Sequence, residues 1–334
     1  MRQRPLGQSG IQASVVGLGT WAVGGWMWGG TDEAASIRAI QASIDAGVTL
    51  IDTAPIYGFG LSEQIVGKAI RGRRDKAVIA SKCGMVCNTA AGELKFRSDA
   101  LGPNPEGHIA IQILLSRESI RREVEASLRR LGTDHIDLYQ THWQEATTPI
   151  EETMGALLEL KREGKIRAIG VCNATSEHMR CYQEVGPLDS DQERFSMLDR
   201  RIEGDQLPHC REHGLAVLAY SPLEHGLLTG KVGPDREFPE GDLRRSEEGF
   251  RVENRRRIAK MIDRLKPAAE RHGITLPQLV IAWTVQQPGV THALVGARNP
   301  TQAEENAGAG VIELTGEDLR RINEAVGECA APRP

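Results

Sequence analysis

Four residues in the first half of the chain, Asp52, Tyr57, Lys82 and His142, have the types that acid catalysis at a carbon–oxygen bond needs when no metal takes part. A tyrosine with a pKa near ~10 is, alone, a poor acid–base group at neutral pH. A lysine ammonium close to the hydroxyl stabilises the phenolate, and an aspartate keeps the lysine charged and in place. A histidine can donate to a carbonyl oxygen that is becoming an alkoxide. Such a set suits reduction of an aldehyde or ketone, with the hydride brought by a cofactor that the protein only positions. Each residue also has a plain alternative. An aspartate after a strand is often a turn former, a lysine a solvated strand end, a histidine a satisfied core residue and a tyrosine a loop aromatic. Taken together these alternatives weaken, because burying several polar groups at one place without a use costs desolvation.

The elements that must position these residues are short strands. The segment Thr49–Glu63, TLIDTAPIYGFGLSE, reads as a buried strand ending in Asp52, followed by a loop that Pro55, Gly58 and Gly60 keep irregular and that carries Tyr57. Strand Ala77–Ser81 ends at Lys82, and strand His135–Thr141 delivers His142. Around them strand and helix alternate. A hairpin is expected at Arg4–Ala13, and further strands at Ser14–Gly19, Ile166–Cys172, near Leu188–Gln192, at Leu215–Tyr220 and at His292–Val295. Apolar residues at helical spacing, such as Ile120, Val124, Leu128 and Leu131, mark the helices between them. Gly132 is a stop signal, and Thr148-Pro149-Ile150-Glu151 is a start signal that combines a capping box with a proline.

About eight such strands in one unbroken chain favour a closed (β/α)8 barrel over a doubly wound sheet. The expected fold class is thus α/β: a single TIM-barrel domain over 1–334, with an N-terminal β-hairpin covering its bottom and long loops at its mouth. The strand ends would then meet at the C-terminal mouth, where barrels place their chemistry. Two stretches interrupt the rhythm. Residues 83–115 are polar and glycine-rich, too long for an ordinary connection, and read as a substrate-side loop or else a disordered insertion. Residues 233–254 are irregular and highly charged, and read as a cofactor-side loop.

Composition narrows the classes. The chain has 334 residues, with 41 Lys and Arg against 45 Asp and Glu, a formal charge of -4. So balanced a chain has no electrostatic footprint for nucleic acid or an anionic membrane. No stretch approaches the ~18–20 apolar residues of a membrane span, and the N-terminus lacks the apolar core of a signal peptide. Six cysteines do not make a disulfide scaffold in so long a chain, and Cys83 and Cys87 have no second pair to complete a zinc site. No histidine–carboxylate cluster with ligand spacing appears at the strand ends, so no metal is expected. These readings fit a cytoplasmic protein. Gly17, Gly19, Gly24 and Gly25 loosely imitate a dinucleotide fingerprint, but with the wrong spacing and no acidic residue after a second strand.

Beyond this the chain resembles the aldo-keto reductase family from end to end. The resemblance rests on LGQSGIQ…VVGLGTW, IDTAPIYGFGLSE, SKCG, SLRRLGTDHIDLYQTHW, LKREGKIRAIGVCNAT, YSPLEHGLLTGK and VGARNPTQAEEN, all in this order. It implies NADPH bound in extended form at the mouth of a barrel, with NADH possible. It also implies a tetrad of Asp52, Tyr57, Lys82 and His142, with Tyr57 as general acid, Lys82 as its pKa modulator, Asp52 as orienter and His142 as donor to the carbonyl. Cys172, Asn173 and Gln192 match the residues that hold the nicotinamide amide, and Tyr220 matches an aromatic that stacks on the ring. By the same resemblance Thr20, Trp21, Ser221, Pro222, Leu223, Gly226, Leu228, Lys231, Arg244, Gly296, Arg298, Gln302, Glu305 and Asn306 are candidates for cofactor contacts. Trp21, Trp26, Trp28 and Trp143, with Tyr57 and His142, are candidates for the substrate wall.

Two positions depart from the commonest family pattern. Cys172 stands where a serine is usual, and a thiol is the weaker donor. Gln302 stands where many members carry an arginine, which leaves Arg298 as the cation nearest the last strand. The pattern is similar to the branch of bacterial sugar or inositol-type reductases and potassium-channel β-subunits. The implied function is reversible NADPH-dependent reduction of a small-molecule aldehyde or ketone, by a monomer or weak homo-oligomer. The alternative is a non-catalytic, NADPH-binding, redox-sensing regulatory subunit.

Overall fold

The computed structural model describes residues 1–87, 89–98 and 109–329. Along the chain run β1 (Gln3–Pro5), β2 (Gln12–Ser14), β3 (Val16–Gly19), α1 (Glu33–Asp45), β4 (Leu50–Asp52), α2 (Leu61–Ala69), β5 (Val78–Cys83), β6 (Met85–Cys87), β7 (Glu93–Ser98) and β8 (Ile109–Ile113). Then follow α3 (Arg117–Leu131), β9 (Ile136–Thr141), α4 (Ile150–Arg162), β10 (Ile166–Cys172), α5 (Ser176–Val185), β11 (Ser190–Arg194), α6 (Gln206–His213) and β12 (Ala216–Tyr220). The chain continues through α7 (Val252–His272), α8 (Leu276–Val285), β13 (His292–Gly296), α9 (Pro300–Gly308) and α10 (Gly316–Cys329). Strands β3, β4, β5, β9, β10, β11, β12 and β13 pair in parallel in that order and close on themselves, as the alternation of strand and helix leads one to expect.

Period-two alternation within each strand decides what the barrel holds. Leu50, Ala80, Leu138, Ala168, Leu218 and Leu294 form one buried cluster inside it. Their neighbours Ile51, Ile79, Tyr139, Ile169 and Val217 belong to the shell under the helices. Burying a side chain such as Ile79 contributes roughly 1.5–3 kcal/mol. Counting two residues on from the inner set gives Asp52, Lys82, Gln140, Gly170 and Tyr220, the next inward layer toward the mouth. Gly170 has no room for anything larger, since a Cβ there would lie 2.3 Å from the Ser190 hydroxyl and 2.9 Å from Gln140. At the opposite end Leu6, Ile11 and Ala13 of the β1–β2 hairpin join the inner cluster and close the bottom.

The expected substrate-side loop has more order than its composition suggests. Within it β6, β8 and β7 form a three-stranded antiparallel sheet. Ile109 and Ile111 bury one face of this sheet among Ala54, Ile56, Trp26, Tyr57, Phe59 and Phe96. The side-chain alternation that reveals a strand is short here, and its apolar partners come from other loops, so the segment alone reads as irregular. Residues 99–108 of the expected loop lie outside the described residues. The sheet hangs from β5 at Gly84, whose φ of 94° favours glycine.

The charged segment 233–254 has short 3-10 turns at Leu243–Arg245 and Glu248–Phe250 and enters α7 at Val252, and is otherwise irregular. It crosses back to the loop after β3, where Leu243 donates its N–H to Met27 O at 3.0 Å and Trp28 bridges to Asp242. Helix α4 starts one residue later than its sequence signal implies. Pro149 is the N-cap, and the Thr148 N–H goes to Glu145 at 3.1 Å instead of closing a capping box. Among the described residues no helix is long and apolar enough to cross a membrane, and no three His, Cys, Asp or Glu side chains gather as a metal-binding group.

Candidate active site

The geometry of the mouth follows from which strand ends carry charge. Lys82, only 1% exposed, spends its three ammonium protons on three acceptors. It donates to Asp52 Oδ1 at 2.7 Å, to Thr53 O at 3.1 Å and to Tyr57 Oη at 3.2 Å. Because Tyr57 accepts from Lys82, its own O–H is left to point elsewhere. Asp52 Oδ1 also accepts from Gln192 Nε2 at 2.8 Å, and the Asp52 carbonyl accepts from both the N–H and the hydroxyl of Thr20. Thus Asp52 is fixed from β3, β5 and β11 together.

Burial and charge oppose one another at this cluster. Burial pushes the Tyr57 phenol up to about 12, although the Lys82 ammonium pulls it down. Residue types alone suggest only the pull. Burial works against the Lys82 ammonium too, yet Asp52 and Tyr57 more than offset it and raise the lysine above its ordinary value. At neutral pH the pair is therefore a phenol beside an ammonium. His142 follows β9, with its ring centroid 5.8 Å from that of Tyr57 and the two planes nearly perpendicular. Burial, then the charges of Lys82 and Lys95, hold its imidazole well below the ordinary histidine value. It is neutral at pH 7 and keeps one N–H to give.

The residues expected to hold a nicotinamide amide lie on the same rim. Asn173, at a left-handed φ of 54°, donates to His142 O at 2.9 Å, and its own carbonyl accepts from Tyr220 Oη at 2.9 Å. Nothing among the described residues donates to the side-chain carbonyl of Gln192, which leaves an acceptor in the mouth for a carboxamide. Cys172 is buried next to this group, its thiol pushed up by burial despite the nearby Lys82, so it is a neutral thiol. This donor set and the Tyr220 face fit a nicotinamide.

The expected phosphate contacts are spread over two loops that grip each other. Arg298 donates to Trp28 O at 3.3 Å and Gly30 O at 2.7 Å, and its N–H goes to Gln302 Oε1. Asn299 caps α9 through the Gln302 N–H, and Asn306 Nδ2 donates to Gly296 O. Lys231 pairs with Glu305 at 3.2 Å. Arg244 forms a forked pair with Asp242 and lies over the rings of Trp28 and Phe238. Ser221, Pro222, Leu223 and Gly226 form the turn after β12, with Ser221 and His225 at positive φ, and Leu228 is buried behind it.

The four tryptophans expected at the mouth lie in three places. Trp21 and Trp28 meet edge to face at 5.3 Å, and Trp21 lies 6.3 Å from the Tyr57 ring. Trp26 packs instead on Phe59 and Phe96 beneath the antiparallel sheet. Trp143, next to His142, carries the Lys95 ammonium 3.2 Å from its ring centroid. Sequence reasoning missed Lys95, Thr53 and His225. His225 stands against both Trp21 and Trp28 and links Ser221 to Glu247 through its two ring nitrogens. Its i, i+4 spacing from Ser221 was the available signal.

Three comparisons with known proteins show what the whole chain is similar to. The family model described as the aldo/keto reductase family matches residues 15–326. The NADH-specific methylglyoxal reductase of Escherichia coli (strain K12) is 42% identical over 330 residues, covering 97% of this chain and 98% of that protein. The structure of a glycerol dehydrogenase from Gluconobacter oxydans superposes with a TM-score of 0.87 at 38% identity, covering 99% of this chain and 96% of that one. An aldo/keto reductase from Klebsiella pneumoniae, solved with NADP and acetate, gives a TM-score of 0.71 at 29% identity, covering 100% and 98%.

Proposed function

The chain belongs to the aldo/keto reductase family and reduces a carbonyl group with NAD(P)H, and from this we propose that Tyr57 is the proton donor to a short, polar aldehyde or ketone. The observation that carries this reading is the Lys82 ammonium, whose three protons are all committed, one of them to Tyr57 Oη, so that the Tyr57 O–H is free to turn to a substrate. A nicotinamide held there would supply the hydride that the carbonyl carbon takes up. Asn173 and Gln192 would hold its carboxamide, Tyr220 would back its ring, and Arg298 and Arg244 would face its phosphates.

His142 gives its N–H to the substrate oxygen and fixes the carbonyl beside Tyr57. As charge grows on that oxygen, Tyr57 transfers its proton, and the Lys82 ammonium stabilises the phenolate that remains. Asp52, held by Gln192, keeps the ammonium in position. In the reverse direction the phenolate takes the alcohol proton. The size class comes from the relatives named for methylglyoxal and glycerol and from the walls that Trp21, Trp28 and Trp143 supply. The test is a panel of short aldehydes, ketones and their alcohols, followed by nucleotide absorbance with both NADPH and NADH. Turnover concentrated in compounds of three or four carbons supports the reading. Turnover confined to bulky ring ketones sinks it.

A further inference from the structure

The antiparallel sheet over the mouth contains one irregularity. In the pairing of β7 with β8, Leu94 faces Gln112 while Phe96 faces Ile111, so Lys95 is an extra residue with no partner on β8. An extra residue of this kind re-aims a side chain, and such bulges gather next to active sites. Here the bulge sets Phe96 against Trp26 beneath the sheet and sends Lys95 over Trp143, with Nζ 3.2 Å from the indole centroid. The contact is not a lone accident of a long side chain. Glu93 on the same strand reaches the same loop and accepts the Ala146 N–H at 3.4 Å, so β7 is docked on the segment that carries His142 and Trp143.

Lys95 has no ion-pair partner among the described residues. Its charge reaches the reaction centre, because it helps hold the His142 imidazole below its ordinary value. Burial lowers Lys95 itself from the ordinary lysine value, and Glu93 offsets part of this. Of the other charges nearby, the Lys82 ammonium is already matched by Asp52. Among the described residues the open side of the mouth therefore presents a cation with no ion pair, held on an aromatic face and facing only the more distant charge of Glu93.

We propose that Lys95 is a specificity-determining residue that selects carbonyl substrates carrying an anionic group, a carboxylate or a phosphate, a short distance from the carbonyl. This rests on the carbonyl-reduction reading given above and refines its substrate class. A substrate anchored by Tyr57 and His142 at its carbonyl end would place its anion against the Lys95 ammonium, which the indole keeps from swinging freely. The neutral part of the substrate needs only the tryptophan walls.

The test uses matched pairs on the full chain with nucleotide: succinic semialdehyde against its methyl ester, and glyceraldehyde phosphate against glyceraldehyde. The quantity read is the ratio of kcat/KM within a pair, so general damage to the enzyme cancels. Wild type favours the charged member by about tenfold, expressed in KM, as one partly shielded charge contact allows. Lys95→Met brings the ratio to about one, and Lys95→Arg restores it. Which pair shows the larger ratio distinguishes carboxylate from phosphate. An equal ratio in wild type and Lys95→Met, or a preference of wild type for the uncharged members, overturns the proposal. If no pair is turned over, the carbonyl reading of the site fails on its own. In that case calorimetric binding of butyrate to the protein with NADP still reads the cation: weaker binding in Lys95→Met supports the proposal, and equal binding overturns it.

Discussion

Lys82 Nζ lies 3.2 Å from Tyr57 Oη and 2.7 Å from Asp52 Oδ1, so one buried ammonium touches both the phenol and the carboxylate. The phenol nevertheless stands at about 12, because burial outweighs the pull of the lysine. This balance has kinetic consequences in opposite directions for reduction and oxidation.

Reduction needs the phenol, which is present at all pH values well below 12. Alcohol oxidation needs the phenolate, and its rate should climb with pH toward that value. Removing the ammonium raises the phenol further, so Lys82→Met should move the oxidation profile to higher pH. It should slow oxidation at pH 8 by about tenfold or more. Initial rates of alcohol oxidation from pH 7 to 11 check this. An unchanged profile would separate Lys82 from the tyrosine.

Arg298 spends two of its five side-chain N–H donors on the carbonyls of Trp28 and Gly30, which leaves fewer to meet a 2′-phosphate. The gain from a phosphate is thereby reduced, so NADPH should bind more tightly than NADH by no more than about tenfold. Arg298→Ala should erase that difference while leaving NADH affinity within about twofold of wild type. Fluorescence titration of both nucleotides decides it. A difference that survives the mutation would place the 2′-phosphate elsewhere.

Asp191, on the outer face of β11, is fully buried, and neither carboxylate oxygen finds a hydrogen-bond partner among the described residues. Burial first, and then the charge of Glu193, pushes it well above the ordinary carboxyl value, and burial raises Glu193 to about 7. The folded state thus holds these protons more tightly than the unfolded chain, whose carboxyls titrate near ~4. Stability from this pair is full below about pH 4 and falls as pH rises toward 7 and beyond. Asp191→Asn should flatten the fall and add about 1 kcal/mol at pH 8. Urea unfolding at pH 5 and pH 8 measures it. A variant that loses stability equally at both values would contradict this account of the pair.

Much of the barrel was legible because its evidence is local. Strand ends such as Leu50-Ile51-Asp52 and helix faces such as Ile120–Leu131 announce themselves within one element. That Asp52, Tyr57, Lys82 and His142 come together was legible because they sit at or just past strand ends, and a barrel brings those ends to one face. The antiparallel sheet was not, because Ile109 and Ile111 are buried by Trp26, Phe59 and Phe96, which come from distant segments. Nor was the placement of Lys95 over Trp143, since a bulge is a property of pairing with β8 and cannot be seen in ELKFRS alone. The raised pKa of Tyr57 was hidden for a related reason. Its neighbours in charge could be inferred from strand order, whereas its desolvation depends on the whole mouth.

If Tyr57 and Lys82 act as one proton-donating unit, a double-mutant cycle on carbonyl reduction has a definite outcome. Tyr57→Phe should keep nucleotide binding and lower kcat by about 10²–10⁴. Lys82→Met should also be slow, and the double variant should be about as slow as Tyr57→Phe alone, because the lysine acts through the hydroxyl. Losses that multiply across the cycle, or a Tyr57→Phe enzyme within a few-fold of wild type, would contradict the assignment.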